Sequence, residues 1–152
     1  MTPARIRSDV VAERIAWIRE MIGSIQKLPL SDYDTFVRDP RNPAAAESYL
    51  RRAIEALLDL GRHILSKGFG RAVAEYKDIG VKLSEEGVLS ETHGTLFRKI
   101  AGYRNRMVHF YHEVSKQELY DLCTRQAGDI VVLLEALIDW IRHNPDKTDG
   151  PC

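Results

Sequence analysis

The chain has 152 residues, with 22 basic and 22 acidic side chains, 44% hydrophobic and 29% charged residues. This mixture suits one globular domain with a sizeable core and excludes an intrinsically disordered chain, and no apolar run approaches the length of a membrane span. Zero formal charge excludes a uniformly basic surface that coats nucleic acid, so any such contact must come from a confined patch.

The first thirty residues interleave Arg14, Arg19 and Glu20 with their apolar residues, unlike the unbroken apolar stretch of a signal peptide, so a cytoplasmic location is expected. Cys123 and Cys152 have no paired spacing for zinc or redox work, and Cys123 reads as a small core residue.

Residues 9–27 carry Val11, Ile15, Ile18, Ile22 and Ile25, an apolar stripe at helical spacing that stops before Pro29. Ser31 and Asp32 then predict an N-cap for one short helix, closed by Pro40 and Pro43. Over 44–67 the stripe Leu50, Ile54, Leu57, Leu58 and Leu65 predicts a long helix ending at Gly68 and Gly70. Residues 76–86 form a further short helix, and Ser90-Glu91 opens another through Leu96, Ile100 and Tyr103.

Ser115 with Glu118 makes a capping box, and Leu119, Leu122, Ile130, Leu134, Leu137 and Ile141 then predict one long amphipathic helix. No strand alternation survives beside these stripes. The expected fold is all-α, a bundle of four to five helices over 1–143, followed by a flexible tail over 144–152 that contains Pro145, Gly150 and Pro151.

Metal chemistry of the di-iron type needs Glu followed three residues later by His on two helices, which this sequence lacks. Phosphate-binding glycine loops, a serine nucleophile elbow and a zinc-binding helix motif are also missing. What stands out is 102–113, where Arg104, Asn105, Arg106, His109, Tyr111 and His112 crowd together, and the spacing of their flanks predicts a connection between two helices. On a straight helix a five-residue step turns Arg104 about 140° away from His109. The pair can therefore converge only if the helix ends between them or if two chains contribute.

Arg and His at that spacing are common by chance. Requiring Asn directly after the Arg and Tyr two beyond the His lowers the chance match by about three orders of magnitude. Through Arg104-Asn105 and His109-Phe110-Tyr111 the sequence resembles the HEPN superfamily, and more closely the HepT-like toxins paired with MNT nucleotidyltransferase antitoxins. The likeness extends, less specifically, over the helix from Glu47 to Ile64 and the final helix after Glu118-Leu119-Tyr120.

The resemblance implies a HEPN-type bundle and a metal-independent endoribonuclease, with no cofactor, that acts as a homodimer. Arg104 and His109 would be catalytic across the dimer cleft, Asn105 supporting, and Tyr111 the tyrosine that the cognate nucleotidyltransferase modifies with AMP. Arg106 is a candidate RNA phosphate contact. The shifted register Arg106 with His112 is the alternative, which Asn105 and Tyr111 disfavour. A non-catalytic HEPN-like module that binds a protein or nucleotide is the competing function.

Overall fold

The computed structural model describes residues 4–151. Four long helices, α1 (Ser8–Gln26), α3 (Arg41–His63), α5 (Glu91–His109) and α7 (Ala127–His143), are joined by short α2 (Tyr33–Arg38), α4 (Ile79–Glu85) and α6 (Lys116–Asp121). Side-chain caps fix three of the starts. Asp32 Oδ1 accepts from the Thr35 N–H at 2.7 Å, Ser90 Oγ from the His93 N–H at 3.0 Å and Ser115 Oγ from the Glu118 N–H at 3.1 Å. Each satisfies a donor that the first helical turn leaves without a partner, worth about 1 kcal/mol.

Helix α3 is the centre, packing on α1, α4, α5, α6 and α7. Its fully buried Leu57, Leu58 and Leu60 join Ile18 of α1, Phe97 of α5, and Leu133 and Leu137 of α7 in one core. Among the described residues there is no strand, only an isolated bridge between Ile6 and Thr148, and no helix is long and apolar enough to cross a membrane. Cys123 is buried in this core, and burial pushes its thiol up to about 12, so the thiolate needed for reactivity is scarce. Cys152 lies outside the described residues.

The structure departs from the sequence pattern in four places. Pro43 does not close α2 but sits in the first turn of α3, where a missing N–H costs no intrahelical bond. The last helix is interrupted by a π-turn, Leu122–Gln126, and α3 runs into another, Ile64–Gly68. Gly70, at φ +65°, then ends that helix, and the Arg71 N–H returns to the Leu65 carbonyl at 3.0 Å, a left-handed stop suited to glycine.

The tail is the third departure. After His143 it turns through Pro145–Lys147 and lies against residues 6–8. Ile6 N–H donates to the Lys147 carbonyl at 2.8 Å, Asp149 N–H to the Ile6 carbonyl at 2.9 Å, and Asp149 Oδ1 accepts from the Ser8 N–H at 2.9 Å. Thr148 is buried there. The fourth departure is that α5 runs on through His109, into the polar segment.

Helices α4 and α5 approach through glycine. A Cβ on Gly80 would stand 2.4 Å from the Gly94 carbonyl oxygen and 2.8 Å from Phe97 Cβ, neither of which can swing aside. Gly80→Ala is expected to lose stability in urea titrations, since overpacking costs about 1–3 kcal/mol against a gain of about 1 kcal/mol in helix propensity.

The start of α1 is held by a histidine that must be neutral. The Arg7 N–H donates to His63 Nε2 at 3.0 Å. Burial, with Lys67, Arg14 and Arg7 nearby, holds the imidazole below its ordinary pKa, against a smaller opposing pull from Asp9. A depressed histidine stabilises the fold fully above its unfolded pKa of about 6.5 and loses that contribution as pH falls from there through the folded value. Stability should therefore drop more between neutral and mildly acidic pH in the wild type than in His63→Ala, and parallel urea curves for the two would refute this.

Candidate active site

The polar segment is not a linker between helices. Its first part, through His109, forms the last two turns of α5, anchored by Ile100, Ala101 and Met107 in the core. The helix stops at Phe110, whose φ of −130° and ψ of 40° leave the helical region, and a 3-10 turn, Tyr111–Glu113, follows. His109 and Tyr111 thus flank the helix end. Both are exposed, Tyr111 to 72%.

Arg104 is held in the opposite way. Its side chain is only 19% exposed, and its Nε lies 3.5 Å from Glu55 Oε1 of α3 without hydrogen-bond geometry. Its guanidinium carbon lies 4.8 Å from the ring centroid of Tyr76, within cation–π range. Nη1 donates to Asn105 Oδ1 at 3.3 Å. Glu55 is itself part of a ladder on α3 in which Arg51 reaches Glu47 at 3.3 Å and Glu55 at 3.5 Å.

Arg104 lies between two grooves. One runs past Glu47, Arg51, Val108, Tyr111 and Lys116, and the other past Arg62, Tyr76, Lys77, Asn105 and His109. Helical geometry accounts for the split, since Arg104 and Val108, four apart, follow one stripe of α5 while Asn105 and His109 follow the next. Arg104 and His109 border the same groove, but Arg104 turns inward onto Tyr76 and Glu55 while His109 stands at the exposed end of the helix.

Arg106 is occupied. Its Nη2 donates to Glu118 Oε2 at 2.9 Å and its Nη1 to Oε1, a bidentate pair that raises the Arg106 pKa and fastens α5 to α6. Glu118 therefore serves this pair with its side chain while its backbone N–H meets Ser115, so only half of the expected capping box forms. His112 lies in the exposed 3-10 turn. Among the described residues no cluster of three or more His, Cys, Asp and Glu could hold a metal ion.

Nothing in the sequence marks Tyr76, Glu55 or Glu118 as a site residue, and Arg62 reads there as one of a run of cations, with Arg51, Arg52, Lys67 and Arg71, that could border an RNA groove but is more often a solvated face. Tyr76 reads as the opening residue of the short helix predicted over 76–86, though the structure places it in a 3-10 turn ahead of α4, and Glu55 reads as one more solvated carboxylate on α3, so neither has a spacing that singles it out. Only the meeting of α3, α5 and the connection around Tyr76 brings them together.

Together these features define an all-α bundle with a polar cluster of Arg, Asn, His and Tyr at the end of one long helix. The chain belongs to the ribonuclease HepT-like family, whose profile matches residues 18–137. Comparison with curated proteins found no match.

Among solved structures, the chain is similar to a tri-AMPylated HEPN toxin of Shewanella oneidensis in complex with its MNT antitoxin. The TM-score is 0.78 and identity 21%, over 87% of this chain and 98% of that one. A toxin–antitoxin complex with AMP-PNP gives a TM-score of 0.77 at 21% identity, over 86% and 98%. YutE of Bacillus subtilis, a cytosolic protein of unknown function, gives 0.74 at 20% identity, over 93% and 92%. At these identities the likeness shows the HEPN-type helical fold.

Proposed function

We propose that this chain is the toxin of a toxin–antitoxin pair, a cytoplasmic, metal-independent endoribonuclease that works as a homodimer and is neutralised when a cognate MNT-type nucleotidyltransferase adds AMP to Tyr111. Membership of the HepT-like family supports the ribonuclease class. The observation that carries the dimeric reading is the unbroken run of α5 through both Arg104 and His109. The helix does not end between them, so the two side chains leave it about 140° apart, and although both border one groove of the protomer, Arg104 turns inward while His109 stands at the exposed helix end, which favours pairing the Arg104 of one copy with the His109 of another.

In such a site His109 takes the proton of the ribose 2′-hydroxyl, the 2′-oxygen attacks phosphorus, and the bond from phosphorus to the 5′-oxygen breaks. The products are a 2′,3′-cyclic phosphate and a 5′-hydroxyl, the leaving oxygen receiving a proton. Imidazole suits both transfers because its ordinary pKa, about 6.5, lies near neutrality. Arg104 holds the scissile phosphate and stabilises charge developing on its oxygens with a permanently charged planar fork. Asn105 accepts from Arg104 and so supports its orientation. RNA is the substrate because only RNA supplies the 2′-hydroxyl.

Arg106 is an expected phosphate contact from the sequence. Its commitment to Glu118 favours assigning it instead to joining α5 and α6. For neutralisation, the Tyr111 hydroxyl attacks the α-phosphorus of ATP and pyrophosphate leaves. Tyr111 shares its groove with Arg51, Arg104 and Lys116, cations that suit the phosphate so added.

The test is cleavage of single-stranded RNA in EDTA by unmodified wild type, Arg104→Ala and His109→Ala. Cutting by the wild type alone, leaving cyclic phosphate ends, is expected. No cutting, or equal cutting by all three, would favour the non-catalytic binding module.

A further inference from the structure

Six arginines of this chain are half-buried: Arg14, Arg51, Arg62, Arg71, Arg104 and Arg106. Five have a carboxylate oxygen within 4 Å. Among the described residues Arg62, near the end of α3, has none, and its side chain makes no hydrogen bond within the protein. A half-buried guanidinium is costly to leave without a counter-charge, and such groups are normally paired.

Its surroundings make the cost greater. The Arg62 guanidinium carbon lies 4.5 Å from the Tyr76 ring centroid, and that of Arg104 lies 4.8 Å from the same centroid. Two permanent positive charges are thus gathered on one ring, and the Nε atoms of both are sequestered without a hydrogen-bond partner. The ring quadrupole attracts each cation but does nothing to remove their mutual repulsion.

Neighbouring acids answer only part of this charge. Glu55 is shared between Arg51 and Arg104. Asp59, one turn back along α3, forms no ion pair among the described residues, and burial raises its carboxyl despite Arg14, Arg62 and Arg104 nearby. The groove over Tyr76 brings Lys77 beside the two arginines, with Glu75 as the opposing acid, and has His109 on its rim. A confined, net-positive groove focuses anions.

We propose that Arg62 is a second anion-binding residue of the site, taking a backbone phosphate of single-stranded RNA next to the one held by Arg104, with Tyr76 as the platform that fixes the distance between the two guanidiniums. This rests on the ribonuclease reading for its substrate, but it concerns binding and not the chemical step. Arg62 sets how firmly and in what register the strand lies, so its loss raises KM and leaves kcat nearly unchanged.

The experiment measures equilibrium binding of a fluorescent single-stranded RNA with 2′-O-methyl riboses, which cannot be cut, over a range of salt. The full-length wild type is compared with Arg62→Ala, Arg62→Gln and Arg62→Lys, with thermal unfolding run alongside. Each phosphate contact on a single strand adds about 0.7 to the slope of log affinity against log salt. Arg62→Ala and Arg62→Gln are expected to bind about tenfold more weakly near physiological salt, with the slope reduced by about 0.7, while Arg62→Lys keeps the slope.

Wild-type affinity and slope in both neutral variants would overturn the proposal. So would equal losses in all three variants with the slope unchanged, since that pattern marks a packing role. If Arg62-dependent binding is found in a protein that cuts no RNA, the anion site stands and the ribonuclease reading fails. Cleavage that depends on Arg104 and His109, with binding indifferent to Arg62, keeps the ribonuclease reading and removes the second anion site.

Discussion

Arg104→Ala and His109→Ala are each expected to slow RNA cleavage by about a thousandfold, with little change in RNA affinity for the histidine variant. Loss of a positioned general acid–base costs about 10²- to 10⁴-fold, and loss of one group that stabilises developing charge costs about 10²- to 10³-fold. Arg104 is the more constrained of the two, gripped by Tyr76, Glu55 and Asn105. Lysine at 104 keeps a charge but gives up the fork and the stacking plane, so Arg104→Lys should recover only a small part of the rate. His109 is exposed at the helix end and carries no core contact to lose, so His109→Ala should unfold at the wild-type temperature. An activity loss that tracked a loss of stability in that variant would contradict the catalytic assignment.

The second large effect concerns Tyr111. Modification of its hydroxyl with AMP should abolish cleavage, while Tyr111→Phe should cut RNA like the wild type and be indifferent to the nucleotidyltransferase and ATP. Tyr111 is 72% exposed and follows the helix cap by one residue, so an enzyme can reach it without unfolding the bundle. An adenylyl group there adds bulk and negative charge to a groove that already contains Arg51, Arg104 and Lys116. By pairing with Arg104 it would occupy the cation needed for the scissile phosphate. Mass spectrometry of the modified protein, paired with the cleavage assay, decides the matter. Full activity in protein modified at Tyr111, or continued inhibition of Tyr111→Phe, would move the regulatory residue elsewhere.

The helices are legible in the sequence because their causes are local. Asp32, Ser90 and Ser115 mark starts through side chains that cap their own first turn, and the stripe from Leu50 to Leu65 needs only helical periodicity to be read. What stays hidden depends on distant partners. The π-turn at Leu122–Gln126 leaves the apolar pattern intact on both sides, so periodicity alone reads through it. The tail after His143 is polar and holds two prolines, yet Thr148 and Asp149 find Ile6 and Ser8 at the other end of the chain.

The same division runs through the site. The string from Arg104 to Tyr111 is visible as a motif, but its crowding of polar residues imitates a connection between helices. In the fold Met107 and Ala101 face the core and keep α5 helical to His109. Glu118 is readable only in its capping role, and its bidentate grip on Arg106 shows in three dimensions alone. Tyr76 and Arg62 belong to no recognisable spacing with Arg104, since they meet it through the packing of α3 and a connection against α5.

The most direct measurement of the central claim is complementation between two inactive variants. Arg104→Ala and His109→Ala protein, co-expressed in equal amounts or unfolded and refolded together, would form mixed dimers as about half of the population. If each site draws its arginine from one protomer and its histidine from the other, every mixed dimer has one intact site and one doubly disabled site. Cleavage should then recover to about a quarter of the wild-type rate. Activity no higher than that of either variant alone, in a sample proven to contain mixed dimers, would contradict a site shared between two copies of this chain.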